Sequence, residues 1–376
     1  MKKRFLVMAL AVTMALSVVA CGSGNGDSGN SNEMSQNKEQ DDNSTIVEQD
    51  TESNGNENND VVGKKATDLS RPVTKIFWDG TCTLVLSNNN GLYGIGRSSY
   101  ADFGIETEEL SSITLIAKDV ADVAGNIQYI DSNGDWYWSG LWYEGGVKTT
   151  FEKIDSDMKA IASNTLAWVG LTTDNKLKFY YNQGNSMSNL NEETVKEFEM
   201  VDNVRYPLIG HYCTGYITTD GDVYMKKRKE ATERILSGVT KHEPVCDFGK
   251  IYLLTDEGGF YSYELEGNNT DNDIVLFEID SDVVSFSPEA YIKKNGEVYT
   301  FDEDKTNLLS SEMFPGADMS NVQEVLYYTS WNSVIYTTKD NKIIHAYYND
   351  VNQCEIKEYD CTLGGVQELF NDYNAK

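Results

Sequence analysis

A short turn motif that returns about every forty residues constrains this sequence more than any other feature. In its clearest copy, apolar and β-prone residues lead up to Ile217, the turn Thr-Thr-Asp-Gly follows at 218–221, and Val223 begins a new strand. Residues of these types in this order are typical of a β-hairpin. One hairpin cannot bury its own apolar face, whereas a row of hairpins can. We therefore expect the chain to fold as an array of similar units.

Seven copies of the motif align on a Gly or Asn in the turn. These residues are Gly91, Gly134, Asn175, Gly221, Gly258, Gly296 and Asn341, with 37 to 46 residues between neighbours. Gly and Asn are the two residues that best tolerate positive φ. A further strand-like segment precedes each turn, at 73–77, 120–124, 158–162, 204–208, 239–243, 283–286 and 322–326. Units of this length with several short strands and no helical periodicity predict propeller blades.

The repeats resemble those of the regulator of chromosome condensation family. The match is best from Gly210 to Tyr224, and residues 96–104 stand where that family has its Gly-Ser-Asn-x-x-Gly-Gln-Leu-Gly segment. The resemblance covers residues 71–376 and implies an all-β fold, a seven-bladed β-propeller closed by its N- and C-terminal strands. We predict that Gly364–Phe370 is the closing strand, which pairs with the first blade and removes an open sheet edge. The alternative is the start of an eighth, incomplete blade.

The N-terminus has the features of an export signal. Residues 1–4 are Met-Lys-Lys-Arg, residues 5–20 are mostly apolar, and Val-Val-Ala-Cys occupies 18–21. This pattern resembles a bacterial lipoprotein signal peptide with its lipobox. The resemblance implies cleavage after residue 20, lipidation of Cys21, and a chain held on the extracytoplasmic face of the cell membrane. An ordinary secretory signal is the alternative.

Residues 21–70 are rich in Gly, Ser, Asn, Asp and Glu, so we predict a disordered tether.

The charge of the chain argues against several partners. It has 31 Lys and Arg against 60 Asp and Glu, a net charge of −29. Nucleic acids and anionic membrane surfaces bind clustered cations, so neither is an expected partner, and membrane contact is predicted through the lipid alone. The basic run Lys226–Lys229 is interpreted as a solvated loop. We expect a monomer.

The cysteines give no framework of disulfides. Cys82, Cys213 and Cys246 each lie in an apolar segment before a turn, where a free cysteine acts as a small core residue. Cys354 and Cys361 are seven residues apart, and on one strand they would be too far from each other to bridge.

No motif for catalysis, a cofactor or a metal stands out. His211, His242 and His345 fall in different repeats, without the sequence context of an activated nucleophile. The Gly-Ile-Gly at 94–96 opens no helix, so it lacks the context of a dinucleotide site. Asp131–Asp135 has the spacing of part of a calcium loop, but a hairpin turn explains the same residues. We predict neither a cofactor nor a metal ion.

Aromatic residues suggest the only candidate binding site. Trp136 and Trp138 share one face of a strand and are expected between blades. Trp142 and Tyr143 follow among glycines, with Tyr100 and Phe103 at the comparable place one repeat earlier. Exposed, these four could stack on sugars or anchor a protein; packing between blades is the alternative. The sequence therefore favours a lipid-anchored module that binds a protein or glycan at the cell envelope. The alternative is an enzyme that acts on surface polysaccharide with carboxylates at the propeller mouth.

Overall fold

The fold is taken from a computed structural model, which describes a set of ranges between residues 61 and 375. All of them belong to one compact unit, Glu57–Lys376. The described ranges are 61–78, 81–98, 103–107, 109–124, 128–142, 146–163, 167–181, 191–194, 203–210, 213–227, 231–244, 250–265, 274–302, 305–329 and 332–375. The predicted signal peptide, most of the tether, and Cys21 lie outside them.

The described chain forms seven four-stranded antiparallel sheets, each built from four consecutive strands. The first three sheets consist of β1 Val73–Trp78, β2 Cys82–Ser87, β3 Leu92–Arg97 and β4 Glu109–Ala117; β5 Val120–Ala124, β6 Gln128–Asp131, β7 Trp136–Trp142 and β8 Gly146–Asp155; and β9 Met158–Ser163, β10 Ala167–Thr172, β11 Lys176–Tyr181 and β12 Asn191–Thr194.

The remaining four sheets repeat the same meander. They consist of β13 Val204–Gly210, β14 Cys213–Thr218, β15 Val223–Lys227 and β16 Thr232–Leu236; β17 Val239–Pro244, β18 Ile251–Thr255, β19 Phe260–Leu265 and β20 Ile274–Asp280; β21 Val283–Phe286, β22 Ala290–Lys293, β23 Val298–Asp302 and β24 Lys305–Leu309; and β25 Val322–Thr329, β26 Ser333–Thr338, β27 Lys342–Tyr348 and β28 Cys354–Asp360. A 3₁₀ turn, Met319–Asn321, precedes β25, and one helix, α1 Leu363–Asn374, follows β28.

These sheets are the blades of a seven-bladed β-propeller, as the sequence predicts. Each of the seven strand-like segments that precede a turn is the first strand of a blade, and the predicted turn lies between the second and third strands. The ring closes because the first strand of blade 1 contacts the first strand of blade 7. Seven repeats thus make seven blades.

The core is divided into seven apolar clusters, and each cluster joins two neighbouring blades. Between blades 2 and 3, Trp136 and Trp138 pack against Met158 and Trp168, which confirms the predicted place of both tryptophans between blades. No blade buries its faces alone, because every cluster contains residues of two adjacent repeats. This interdependence is the physical reason why the repeats need one another.

The turns use positive φ where the sequence predicts it, with one shift. Six of the seven aligned residues have positive φ, but in blade 1 the residue is Asn90 (φ 61°) instead of Gly91. The carbonyl of Asn90 accepts a hydrogen bond of 2.8 Å from the N–H of Val120, which begins blade 2. The same bond joins Met158 to Gly134, and Val239 to Gly221. The left-handed turn residue therefore aims its carbonyl at the next blade and fixes the spacing of the ring.

The predicted closing strand is wrong in its secondary structure. Gly364–Phe370 lies within α1, whose N-cap is Thr362; the Thr362 side chain accepts a hydrogen bond from Gly365 N. Buried Leu363, Val366 and Leu369 pack into the cluster that joins blades 7 and 1. Apolar residues three positions apart lie on one face of a helix. A strand with one buried face needs an apolar residue at every second position, and this segment lacks that pattern.

Closure still involves pairing between the two ends of the ring. Pro72 forms an isolated antiparallel bridge with Thr362, and Val73 N donates to Cys361 O at 3.2 Å. Residues 63–66 also pair with the outer strand β4, with Gly63 N donating to Leu115 O at 2.8 Å. The N-terminal residues therefore cover one outer edge, and the C-terminal helix covers the junction.

Cys82 and Cys213 are buried in the core, as predicted, and within the described part of the chain neither they nor Cys354 and Cys361 form a disulfide. Cys246 lies outside the described residues. Within the described part of the chain, no helix combines the length and apolar character that a membrane span requires.

Candidate functional site in the central channel

The first strand of every blade has a β-bulge at the same position, and this bulge affects which side chains face the central channel. In blade 1, Val73 pairs with Ser87 while Lys75 pairs with Leu86, so Thr74 is the extra residue. The other six blades have the same shift of register. A bulge changes the direction in which the following side chain points. The residues that follow the bulge are Lys75, Asp122, Ala160, Tyr206, Lys241, Ser285 and Glu324.

Lys241 of blade 5 reaches across two blades. Its Nζ donates to the backbone carbonyl of Phe286 in blade 6 and lies 4.8 Å from the centre of the Phe286 ring. The same Nζ lies 3.8 Å from Oε1 of Glu324 in blade 7. Only side chains near the axis of a propeller can reach past an adjacent blade. Lys241 and Glu324 therefore lie in the channel.

Arg205 and Tyr206 of blade 4 contact blade 5 beside Lys241. These residues, with Lys75, Asp122, His242 and Glu324, are called the channel layer. The Arg205 guanidinium donates from Nη2 to the carbonyl of Val239 at 3.1 Å. The Tyr206 ring packs on the His242 ring of blade 5, with 4.7 Å between the ring centres. Nε of Arg205 is buried and has no hydrogen-bond partner in the described part of the chain.

Charged residues of blades 1 and 2 also act on His242 and Tyr206. Burial, together with the positive charges of Arg205 and Lys75, lowers the pKa of His242 to about 4. At neutral pH this imidazole is therefore uncharged. Burial raises the pKa of Tyr206, and the carboxylate of Asp122 in blade 2 adds to the increase, while Arg205 opposes it. Charges from three blades thus act on the packed pair of rings, Tyr206 and His242.

The layer carries both signs of charge. Lys75, Arg205 and Lys241 are its cations, and Asp122 and Glu324 are its anions. Lys75 Nζ lies 4.7 Å from the centre of the Phe77 ring on its own strand. Charged groups, a neutral imidazole and aromatic rings together can bind and orient a polar ligand. Among these residues none has the arrangement of a nucleophile activated by a base.

His345 makes the only described contact between a histidine and a serine hydroxyl. Its Nε2 lies 3.0 Å from Oγ of Ser333 on the neighbouring strand. The His345 ring is buried against Tyr347 and, on α1, Tyr373. This pair lies beneath the helix that closes the ring, where it stabilises packing.

Of the four predicted aromatic site residues, the structure describes Phe103 in full and Trp142 by its backbone. Phe103 is fully buried in the cluster between blades 1 and 2, so its predicted role on an exposed binding surface is wrong. Trp142 is the last residue of β7 and pairs with Gly146, so its backbone belongs to a strand and not to the predicted loop. Its side chain, like Tyr100 and Tyr143, lies outside what the structure describes.

In the turn that resembles a calcium loop, the carboxylate oxygens of Asp131 and Asp135 already bind groups of the protein. Oδ1 of Asp131 accepts hydrogen bonds of 2.9 Å from the backbone N–H groups of Asn133 and Asp135. The Asp135 carboxylate forms an ion pair of 2.7 Å with Lys153. These contacts are those of a hairpin turn, as the sequence analysis favours. His211 lies outside the described residues.

Sequence reasoning located the first strands but missed the charged layer. The signal was present, because Lys75, Asp122, Lys241 and Glu324 each stand two positions after the valine that opens a predicted strand. In a regular strand this position shares the face of the valine, which argues for the core. The bulge breaks that alternation, and the sequence does not reveal it.

Fold and site together define a seven-bladed β-propeller with a charged layer in its channel. No family model matches the chain, and no curated protein matches it significantly. Solved structures similar to it include Prp20p of Saccharomyces cerevisiae, with 13% identity, a TM-score of 0.43, and coverage of 61% of this chain and 71% of that one. The yeast protein is an RCC1.

Two further solved structures are similar at the same level. Human WBSCR16 has 10% identity and a TM-score of 0.38, covering 75% of this chain and 78% of that one. Kluyveromyces lactis Hsv2 has 10% identity and a TM-score of 0.39, covering 77% and 98%. Such values carry no conclusion about family or function, and the fold assignment rests on the strand pairing itself.

Proposed function

We propose that this protein is a lipid-anchored binding module on the extracytoplasmic face of the cell membrane, with a protein or a glycan of the envelope as its partner. The proposed anchor is a diacylglycerol on Cys21, and residues 21–70 are the proposed tether. Propellers present the loops of successive blades on one face of a rigid ring, which suits recognition.

The observation that carries the proposal is the position of Trp142. It forms the last described pair of the β7–β8 hairpin, with Gly146, so Tyr143 directly follows the end of the ladder. The connection between β3 and β4, which contains Tyr100, leaves the neighbouring blade at the same end of its sheet, since both blades are simple meanders. The β3–β4 and β7–β8 connections thus leave adjacent blades at the same end, which supports the proposal that their aromatic residues form one binding surface; aromatic side chains are common anchors in binding sites.

The alternative of a polysaccharide-acting enzyme gains no support from the channel. Such an enzyme needs one carboxyl group as an acid and another as a base or nucleophile. Glu324 is engaged by Lys241, and Asp122 is close enough to Tyr206 to raise its pKa. Both carboxylates serve the charge balance of the channel.

Mutation of the aromatic residues tests the proposed surface. The Trp142→Ala and Tyr143→Ala variants of the full chain, purified in mild detergent, would be used to capture partners from envelope extract and to probe a glycan array. Phe277→Ala is the matched control, because Phe277 is 40% exposed on the outer strand β20. We expect both variants, and not the control, to lose capture. Equal capture by all three would remove this surface from the proposal.

Lipidation has its own test. Growth with a labelled fatty acid should label the wild-type chain, whereas Cys21→Ser should remain unlabelled and leave the membrane fraction. A Cys21→Ser chain that is still labelled, or still membrane-bound, would show that Cys21 is not the anchor.

A further inference from the structure

The segment that precedes blade 1 binds to that blade as a short extra strand. Residues 63–71, here called the strap, pair antiparallel with the outer strand β4. Gly63 N donates to Leu115 O at 2.8 Å, and Ala66 N donates to Ile113 O at 2.9 Å. The strap therefore covers part of a sheet edge that would otherwise be open.

The strap also caps the C-terminal helix. The first N–H groups of any helix have no acceptor within the helix itself. In α1, Leu363 N donates to the carbonyl of Arg71 at 3.0 Å, and Gly364 N donates to the carbonyl of Leu69 at 2.8 Å. Two N–H groups in the first turn of α1 thus depend on carbonyls of the strap.

The helix is bonded in turn to the same strand as the strap. Ile113 of β4 donates from its N–H to Oε1 of Gln367 in α1 at 2.9 Å, while its carbonyl accepts from Ala66. Ala66 also packs against the apolar cluster that contains Val366 and Leu369 of α1. Strap, β4 and α1 therefore form a closed set of contacts, in which each element holds the other two.

The strap is the least buried of these three elements. Residues 63–65 are exposed and Ala66 is half-buried, whereas α1 has several fully buried side chains. The C-terminal end of the strap is held by buried Arg71, whose Nη1 donates to the hydroxyl of Tyr93. Segments with few buried contacts open at the lowest free energy. The strap therefore opens from residue 63, the end at which the preceding chain enters.

We propose that the strap and α1 form one coupled latch. Release of the strap from β4 removes two caps of α1 and loosens the helix from the junction between blades 7 and 1. A pull on the chain before residue 63, or a partner bound to it, thereby controls the closure of the ring. The inference goes beyond the proposed function, since it concerns a conformational change within the propeller and requires neither the lipid nor the partner on its face.

Hydrogen exchange on the full chain in mild detergent tests the latch. Ala66→Asp places a carboxylate against the apolar cluster and should release the strap. We expect the amide of Leu115, which donates to Lys64 O, to exchange about tenfold faster, and the amides of Leu363 and Gly364 to follow by a similar factor. Lys65→Gln is the matched control, because it changes the net charge equally at an exposed residue of the strap and should leave all three amides unchanged.

Three results would overturn the latch. Faster exchange at Leu115 alone would show that the strap opens without the helix. Unchanged exchange at Leu115 would show that the strap is not releasable. Equal acceleration in β14 of blade 4 would show a loss of stability throughout the ring and no local coupling.

The reverse experiment keeps the test decisive if the Ala66→Asp chain fails to fold. Gln367→Ala removes the bond from α1 to Ile113 N, and because coupling is reciprocal, the amides of Gly63 and Ala66 should exchange several-fold faster. Glu368→Ala, at an exposed position of the same helix, should leave them unchanged. Equal exchange in the two variants would contradict the coupling.

Trp78 reports on the far end of the helix. Its ring centre lies 6.1 Å from that of Phe370 and 5.4 Å from that of Tyr373, both in α1. In a chain labelled with fluorotryptophan, the signal lost in Trp78→Phe identifies this residue. We expect Ala66→Asp to shift the Trp78 signal and to leave that of Trp136, between blades 2 and 3, in place. An unmoved Trp78 signal would mean that α1 stays docked when the strap leaves.

Discussion

The ammonium of Lys241 lies 3.8 Å from the carboxylate of Glu324, although a whole blade separates their strands in the sequence and in the ring. This ion pair ties blade 5 to blade 7, and the bond from Lys241 to the Phe286 carbonyl ties both to blade 6. The sides of the channel are therefore connected by side chains as well as by packing between neighbours.

Replacement of Lys241 should destabilise the ring more than replacement of an ordinary surface lysine. Lys241→Met leaves both Glu324 and the Phe286 carbonyl without their partner, and we expect a loss of about 1 kcal/mol, because both side chains are 35% exposed and screened by solvent. Urea denaturation measures the change. Lys294→Met, which removes an exposed pair of 3.7 Å with Asp282, should change stability by less than about 0.5 kcal/mol. Equal effects would mean that the cross-channel contact contributes nothing.

His242 should make stability depend on pH. Its pKa is about 4 in the folded chain and 6.5 in the absence of burial, so between these values the unfolded chain binds the extra proton. The contribution is present above pH 6.5 and is lost as the pH falls towards 4; it amounts to about 3 kcal/mol at most. We expect His242→Gln to flatten the stability profile in this window relative to the wild type. Parallel profiles for the two proteins would contradict the lowered pKa.

Gly96 should be irreplaceable at the junction of blade 1 and α1. It has φ of 103°, and an added Cβ would overlap the Thr81 carbonyl oxygen and lie 2.7 Å from the Phe370 ring. We expect Gly96→Ala to cost roughly 3 kcal/mol or more. Gly63 also has positive φ, 78°, but open space around it, so Gly63→Ala should cost only about 1 kcal/mol. Thermal melts of the two variants would show whether the close approach of Phe370, and not φ alone, sets the difference.

The C-terminal helix should be an integral part of the ring. Leu369 is fully buried in the cluster between blades 7 and 1, so Leu369→Ala should destabilise the protein by about 3 kcal/mol. Glu368 is exposed one position earlier in the same helix, and Glu368→Ala should leave stability almost unchanged. Guanidinium denaturation compares the two. A small effect of Leu369→Ala would show that the ring closes without the helix.

The fold could be read from the sequence largely because it is repeated. One copy of the turn motif is weak evidence, but seven copies predict the strands on both sides of each turn and the number of blades. The error at Gly364–Phe370 has a physical cause. The segment resembles the start of another repeat, whereas the N-cap Thr362 and the spacing of Leu363, Val366 and Leu369 decide for a helix.

The candidate sites were harder to predict. Phe103 follows the motif of a surface loop, yet it fills the space beside Gly94, where no side chain stands in its way. In the sequence, the channel residues occupy positions that any ordinary strand would have. Their importance comes from contacts between blades, such as the one between Lys241 of blade 5 and Glu324 of blade 7, and such contacts leave no local signal in a sequence.

The sequence by itself determined the seven hairpins, the apolar residues that each one must bury, and the acidic balance of the chain. These properties depend on turn chemistry and alternation within a few residues. Tertiary structure alone decided that the last segment is a helix and that charged residues of separate repeats, Lys241 and Glu324, meet in the channel. Ring closure brings together residues that are far apart in the chain, and a bulge one residue long decides which side chains face the axis.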